Sequence, residues 1–304
     1  MSEQTRNRSL KKLDLLVAKI GYPSHNPDLR NPSSVYDYYK TLSISLNSYF
    51  ANVVSTSHFK VRQAWLTVGT SQRISDRWDR TATSFNAYYS RDHNEIVIPA
   101  GFMQEPAFYS HEVPSYLTYG AFGAIVGHEI SHAFDSTGRL YDSSGARTNW
   151  WDMESAAEFD NRTLCFIKQY DEFLIPGENA NSFTPFSVDG RMTLDENLAD
   201  YSGLHAAFTA YKEHESLHPS KLLPGLTDYS REQLFFLAYG RYWCEKNRRE
   251  ILLWRLQNDA HAPNFARVLG AVANEPEFGE VWKCGSERQS DNTESQWLPR
   301  CFLW

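Results

Sequence analysis

Tyr119-Gly120-Ala121-Phe122-Gly123-Ala124-Ile125-Val126-Gly127-His128-Glu129-Ile130-Ser131-His132-Ala133-Phe134 is the stretch from which the rest of the chain can be read. The pattern is helical from Tyr119 to Phe134, with Gly138 standing where a C-terminal cap is expected. Its first nine residues are almost wholly apolar, so the helix should be buried. His128 and His132 are four apart and share one helical face about one turn from each other. Two imidazoles and a carboxylate at the end of a buried helix are costly unless something compensates them. The H-E-x-x-H pattern does so by gripping one zinc ion at roughly 2.0–2.1 Å, with Glu129, one position round, facing its water.

A catalytic zinc takes a third protein ligand and keeps one open position. A third histidine in the pattern H-E-x-x-H-x-x-G-x-x-H is excluded, because Asp135 and Gly138 occupy the decisive places. The better candidate lies in Thr193-Leu194-Asp195-Glu196-Asn197-Leu198-Ala199-Asp200, where Glu196 and Asp200 share a helical face. One carboxylate can bind the metal while the other accepts the N–H of a ligating imidazole and fixes its tautomer. Standing alone, such a pair would only decorate an N-terminal helical turn. The neighbouring Asp195 is expected to point to solvent.

Outward from these motifs, helices are predicted over residues 1–20, from Val35 to about Val54, and over Trp150–Gln169, Asp195–His214 and Arg231–Asn258. Ser84–Tyr89 and Glu95–Pro99, separated by Arg91-Asp92-His93-Asn94, read as a hairpin, with Pro99 suited to the end of an edge strand. After Cys284 the chain is polar and loop-like until Cys301-Phe302-Leu303-Trp304, an apolar terminus expected to be docked. The fold class is therefore α+β, mainly helical with a small sheet.

Composition narrows the function. The 304 residues carry a net charge of −7, so no basic excess exists for a phosphate backbone and nucleic acid is not an expected partner. Apolar runs such as Ala121–Val126 fall far short of the ~20 residues a membrane helix needs. Cys165, Cys244, Cys284 and Cys301 include no C-x-x-C pair, which excludes a zinc ribbon or a thioredoxin motif and leaves buried thiols or long-range disulfides.

With these residues in hand, the chain resembles the neprilysin and endothelin-converting-enzyme family of zinc metallopeptidases. The matching motifs are Lys19-Ile20-Gly21-Tyr22-Pro23, Asn86-Ala87-Tyr88-Tyr89, Ile98-Pro99-Ala100-Gly101, Gly127–Asp135, Glu196-Asn197-Leu198-Ala199-Asp200, Tyr242-Trp243-Cys244, Asp259-Ala260-His261-Ala262-Pro263 and Cys301-x-x-Trp304. The resemblance implies a thermolysin-like catalytic domain of the gluzincin type, whose small sheet binds substrate along an edge strand. It implies one Zn2+ held by His128, His132 and Glu196, with Glu129 as general base and Asp200 orienting His128. His261 would stabilise the oxyanion, Arg267 would grip a substrate carbonyl, and Asn86 and Ala87 would hold the peptide backbone. A Cys165–Cys301 disulfide is implied too, while Cys244 and Cys284 match positions whose partners lie in a preceding region.

The resemblance further implies an endopeptidase cutting oligopeptides amino-terminal to hydrophobic residues. Its pocket would be lined by Phe102, Ala107, Ala124 and Ile125, with Tyr242 and Trp243 opposite. Family members are membrane-anchored ectoenzymes, so an extracellular or plasma-membrane address is implied. Residues 1–60 would be the end of a helical lobe and 61–304 the catalytic domain; the expectation is a fragment rather than a natural short form. The alternative is a truncated, catalytically incompetent remnant that still binds peptides. An aminopeptidase is disfavoured, since Glu196 lies 64 positions after His132 and no substrate-amine motif is visible.

Overall fold

Helix α1 (Glu3–Asp14) starts at Ser2, whose hydroxyl accepts from the Thr5 N–H, and carries Lys11 and Lys12 in its last turn. The computed structural model to which it belongs describes residues 1–66, 68, 78–109, 113–175, 186–284 and 300–303. The expected polar tail after Cys284 and the closing Trp304 lie outside the described residues.

The helix predicted over residues 1–20 is too long. It ends at Asp14, and Val17–Gly21 is a strand, β1, parallel to β3 (Glu95–Pro99). β-branched Val17 and Ile20 suit a pleated surface, and five residues pairing with a central strand outweigh a marginal helical pattern. The predicted hairpin is present, with β2 (Tyr88–Ser90) antiparallel to β3 and Tyr88 opposite Val97. The sheet order is β1-β3-β2, so β3 is central and Pro99 ends an inner strand, not an edge. The missing N–H of Pro99 does no harm there, because the Ala100 N–H donates to the Gly21 carbonyl and closes the ladder.

The single helix expected over Val35–Val54 is two, α2 (Pro32–Tyr39) and α3 (Tyr49–Trp65). Between them Asn52 bonds both the N–H and the carbonyl of Ser45, and the Ser48 hydroxyl caps α3, so local polar side chains compete with a continuous helix. Next come α4 (Ser115–Thr118), a π-helical turn (Tyr119–Gly123) and α5 (Ala124–Ser131). Gly138 opens a short 3-10 turn instead of capping α5. After Ser131 the chain is turned by Asp135, whose Oδ1 accepts from the N–H groups of Thr137 and Gly138.

Helices α6 (Met153–Asp171) and α7 (Leu194–Leu217) follow the prediction to within a few residues. The last predicted helix divides into α8 (Arg231–Tyr242), opened by a Ser230/Gln233 capping box, and α9 (Arg249–Asn258). α10 (Asn264–Asn274) and α11 (Pro276–Val281) complete the order.

One apolar core joins Tyr116, Leu204, Phe208, Tyr211, Phe235 and Tyr239. A second gathers Trp150, Trp151, Phe159, Phe166, Leu198 and Tyr201 around the Cys165–Cys301 disulfide. Cys244 and Cys284 are exposed free thiols. The decisive packing is α5 on α7. A Cβ at Gly127 would lie 2.6 Å from the Gly203 carbonyl oxygen, and one at Gly203 2.3 Å from the His128 nitrogen. Only glycines permit two backbones to approach this closely, and the crossing sets the C-terminal half of α5 against the first turns of α7.

Candidate active site

Because of that crossing, His128 on α5 and His132 at its C-terminal cap meet Glu196 on the first turn of α7. His128 Nε2 and His132 Nε2 are 3.0 Å apart and lie 3.2 and 3.6 Å from Glu196 Oε2. Three donors at 2.0–2.1 Å from one tetrahedral ion would be separated by about 3.3 Å, so the observed triangle fits a single zinc. Glu196 Oε2 is buried and has no well-aligned hydrogen bond, although ring nitrogens surround it. Converging lone pairs with an orphaned carboxylate oxygen among them are what a cation would satisfy.

Each imidazole is aimed from behind. The His128 Nδ1–H donates to Asp200 Oδ1 at 2.8 Å, and the His132 Nδ1–H to Asp135 Oδ2 at 2.7 Å, which leaves both Nε2 atoms facing the centre. Asp200 is buried and also receives a forked pair from Arg267, Nε to Oδ2 at 2.7 Å and Nη2 to Oδ1 at 2.8 Å. The Arg267 guanidinium carbon sits 3.9 Å from the centre of the Trp243 ring. Arg267 is thus spent largely on holding Asp200.

The charges reinforce one another. Burial alone would raise the Glu196 pKa, but the ring nitrogens of His128, His132 and His261 crowded against it hold its carboxyl far below the usual range. Burial would lower His128 and His132, yet their carboxylate partners raise both, His132 strongly. For Asp200, burial opposes ionisation and is outweighed by the Arg267 charge and the His128 bond, so its pKa falls.

Glu129, buried, lines the same cavity of about 580 Å³ as both histidines and Glu196. His261, from the loop before α10, points its Nε2 at Glu196 Oε2, 3.2 Å away. Its Nδ1–H donates to Asp259 Oδ1 at 2.7 Å, and its own backbone N–H donates to the same oxygen. The nearby Glu196 carboxylate raises the His261 pKa against the opposing effect of burial. Asn86 and Ala87 enter the cavity just before β2, whose outer edge has no strand partner among the described residues. All nine site residues read from the sequence therefore surround or support one cavity.

Two expectations need correction. Asp195 does not point to solvent: its Oδ1 accepts from the N–H and hydroxyl of Ser136, and its Oδ2 from Thr137 Oγ1. It pins the turn after α5 to the start of α7. Of the expected apolar pocket, Ile125, Tyr242 and Trp243 line the cavity, while Phe102 and Ala107 are buried behind them. Ala124 faces the other side of α5 and packs with Leu204 and Phe208, because adjacent helical positions diverge by about 100°. Sequence reading passed over Asp135 and Asp259 as working residues. Their signal was spacing: a carboxylate three after His132 and another two before His261.

Comparison with known proteins agrees with this geometry. The sequence profile of peptidase family M13 matches residues 86–296. An endothelin-converting enzyme homolog from Locusta migratoria is 36% identical over 286 residues, covering 93% of this chain and 37% of that protein. Endothelin-converting enzyme 1 of Rattus norvegicus is 35% identical over 93% of this chain and 36% of its own length. The structure of Mycobacterium tuberculosis zinc metalloprotease Zmp1 in complex with an inhibitor superposes with a TM-score of 0.80 at 32% identity, covering 94% of this chain and 41% of that one. The chain thus spans little more than a third of the curated relatives' length. With the profile running from the edge strand past α11, and relatives aligned along nearly all of the chain, this protein belongs to peptidase family M13.

Proposed function

We propose that this chain carries the catalytic site of a zinc-dependent metalloendopeptidase that hydrolyses oligopeptides and binds one Zn2+ through His128, His132 and Glu196. The observation that carries the reading is a donor triangle of tetrahedral size next to a buried glutamate, in a cavity beside a strand edge that has no strand partner among the described residues. When bound, zinc supplies a Lewis acid that polarises a peptide carbonyl and brings the pKa of its water near 7.

The remaining work falls to side chains. An extended substrate adds along β2, with Asn86 and Ala87 holding its backbone. Glu129 takes a proton from water as oxygen attacks the carbonyl carbon, then passes it to the amine as the C–N bond breaks. His261, oriented by Asp259, donates from Nε2 to the oxygen that gains charge, a contribution worth about 10²–10³ in rate. Arg267 keeps Asp200, and through it His128, in register, and its remaining N–H groups are available to a substrate carbonyl.

Ile125, Tyr242 and Trp243 make an apolar wall, which supports a preference for a hydrophobic residue directly after the scissile bond. A peptide library preferring small or charged residues there would reject that preference. The Cys165–Cys301 bridge supports an oxidising, extracytoplasmic location. No helix among the described residues is long and apolar enough to cross a membrane.

The deciding experiment is Glu129→Ala with metal analysis. Zinc content should be unchanged and peptide turnover abolished; turnover retained at full zinc occupancy removes Glu129 from the mechanism. The second reading is a peptide-binding protein without turnover. Zinc titration against a quenched peptide separates the two. Activity that a chelator removes and zinc restores favours the enzyme.

A further inference from the structure

Lys12 belongs to none of the chemistry above, yet it is among the most deeply buried charges in the molecule, with 1% of its surface exposed. Its Nζ donates to three carbonyls, Ala133 at 2.7 Å, Gly138 at 2.9 Å and Tyr141 at 2.6 Å. An ammonium has three hydrogens, so its donors are fully used. The rings of Tyr89, Phe134 and Trp150 surround it, with centroids 5.5–6.0 Å from the nitrogen. Burial lowers its pKa to about 8, while the charges of Asp135 and Asp142 pull it back up. A charge kept in such a place needs a task that an apolar residue could not do.

The three carbonyls indicate the task. Ala133 directly follows His132, and Gly138 and Tyr141 lie beyond Asp135, so Lys12 gathers the backbone on both sides of the carboxylate that aims His132. The Gly138 backbone is held on both sides, its carbonyl by Lys12 and its N–H by Asp135 Oδ1. The Lys12 carbonyl in turn accepts from Asn94 Nδ2, and Asn94 Oδ1 accepts from the hydroxyl of Tyr89, which lines the cavity beside β2. One residue of α1 thereby joins the turn behind His132 to the substrate-edge hairpin.

We propose that Lys12 is a positioning residue for the metal centre: by closing the 133–141 turn it fixes Asp135 against His132 and pre-forms that half of the zinc site. The inference rests on the reading of His128, His132 and Glu196 as the zinc ligands. Its test is a double-mutant cycle in the full chain with Lys12→Met, Asp135→Asn and the pair. Zinc affinity is read by chelator competition, geometry by the visible absorption of the cobalt(II) form, and folding by the thermal midpoint of metal-free protein.

Lys12→Met should weaken zinc about tenfold, within the 10–100-fold range for groups that orient ligands, and change the cobalt spectrum. In the Asp135→Asn background the same change should cost less than about twofold, since both act through one imidazole. Lys12→Gln, which keeps a donor, takes its place if the methionine variant does not fold. A lowered thermal midpoint with zinc affinity and cobalt spectrum intact, or fully additive penalties, overturns the proposal. Wild-type chain that binds no zinc, or a Glu196→Gln variant that binds it normally, instead overturns the ligand assignment beneath it.

Discussion

Replacing Gly203 with alanine tests the central geometric claim, that the α5–α7 crossing builds the donor triangle. The new Cβ would stand 2.3 Å from the His128 nitrogen, 2.7 Å from its Cα and 2.8 Å from the Ala124 carbonyl oxygen. All three are backbone atoms, so no side chain can rotate away. Ordinary contact begins at 3.4 Å, which leaves the helices about 1 Å too close. Relief requires α5 to move off α7 by a distance of that order, and the histidines move with it while Glu196 and Asp200 stay behind. Metal sites tolerate distance errors of about 0.2 Å, so zinc affinity should fall by at least tenfold to a hundredfold. Overpacking of this kind costs about 1–3 kcal/mol of stability. Chelator competition gives the first quantity and thermal unfolding of metal-free protein the second. Gly240→Ala, at a helical glycine with nothing within 4 Å, is the control and should leave both unchanged or slightly improve stability. If Gly203→Ala binds zinc within twofold of wild type, the close crossing is not what assembles the site.

Further expectations follow from the same contacts. Asp200→Asn takes the charged partner from buried Arg267 and weakens the hold on His128, so zinc affinity should fall 10–100-fold and stability by about 3–5 kcal/mol; normal values for both in titration and melting would contradict the assigned contacts. Burial pulls the pKa values of His128 and His132 down, but Asp200, Asp135 and Glu196 raise them overall, so protons compete with metal above the ordinary imidazole value of about 6.5. Zinc affinity should therefore keep climbing as pH rises past 6.5, and a profile already flat there would count against raised pKa values. Converting Cys165 and Cys301 to alanine together should lower unfolding free energy by roughly 2–5 kcal/mol, measured by denaturant titration; an unchanged midpoint would mean the bridge adds nothing.

The candidate site was legible in sequence because its residue types are expensive to bury and their helical spacing is rigid. His128 and His132 one turn apart, and Glu196 and Asp200 likewise, could be read without knowing how the helices cross. What the spacing could not supply was the crossing itself, which depends on Gly127 meeting Gly203 across 76 positions. Asp195 was misread for a related reason: an exposed-looking acid beside Glu196 finds Ser136 and Thr137 only after the turn behind α5 folds onto α7. β1 escaped notice because Leu13, Leu16 and Val17 continue a helical stripe, and the strand that competes for Val17–Gly21 lies more than seventy residues away. The breaks between α2 and α3 and between α8 and α9 are decided by side chains bonding to nearby or distant backbone, Asn52 to Ser45 and Asn264 to Trp243. Periodicity does not record such bonds.

The Cys165–Cys301 bridge divides the centre by covalent topology. It closes a ring of chain, 136 positions around, that contains Glu196, Asp200, Asp259, His261 and Arg267. His128, Glu129, His132 and the edge pair Asn86 and Ala87 lie on the strand of chain leading into that ring. A protease cutting once anywhere between the two cysteines would therefore leave every one of these groups on a single covalently joined molecule, whereas one cut between Phe134 and Cys165 would sever the imidazole pair from the carboxylates that complete it.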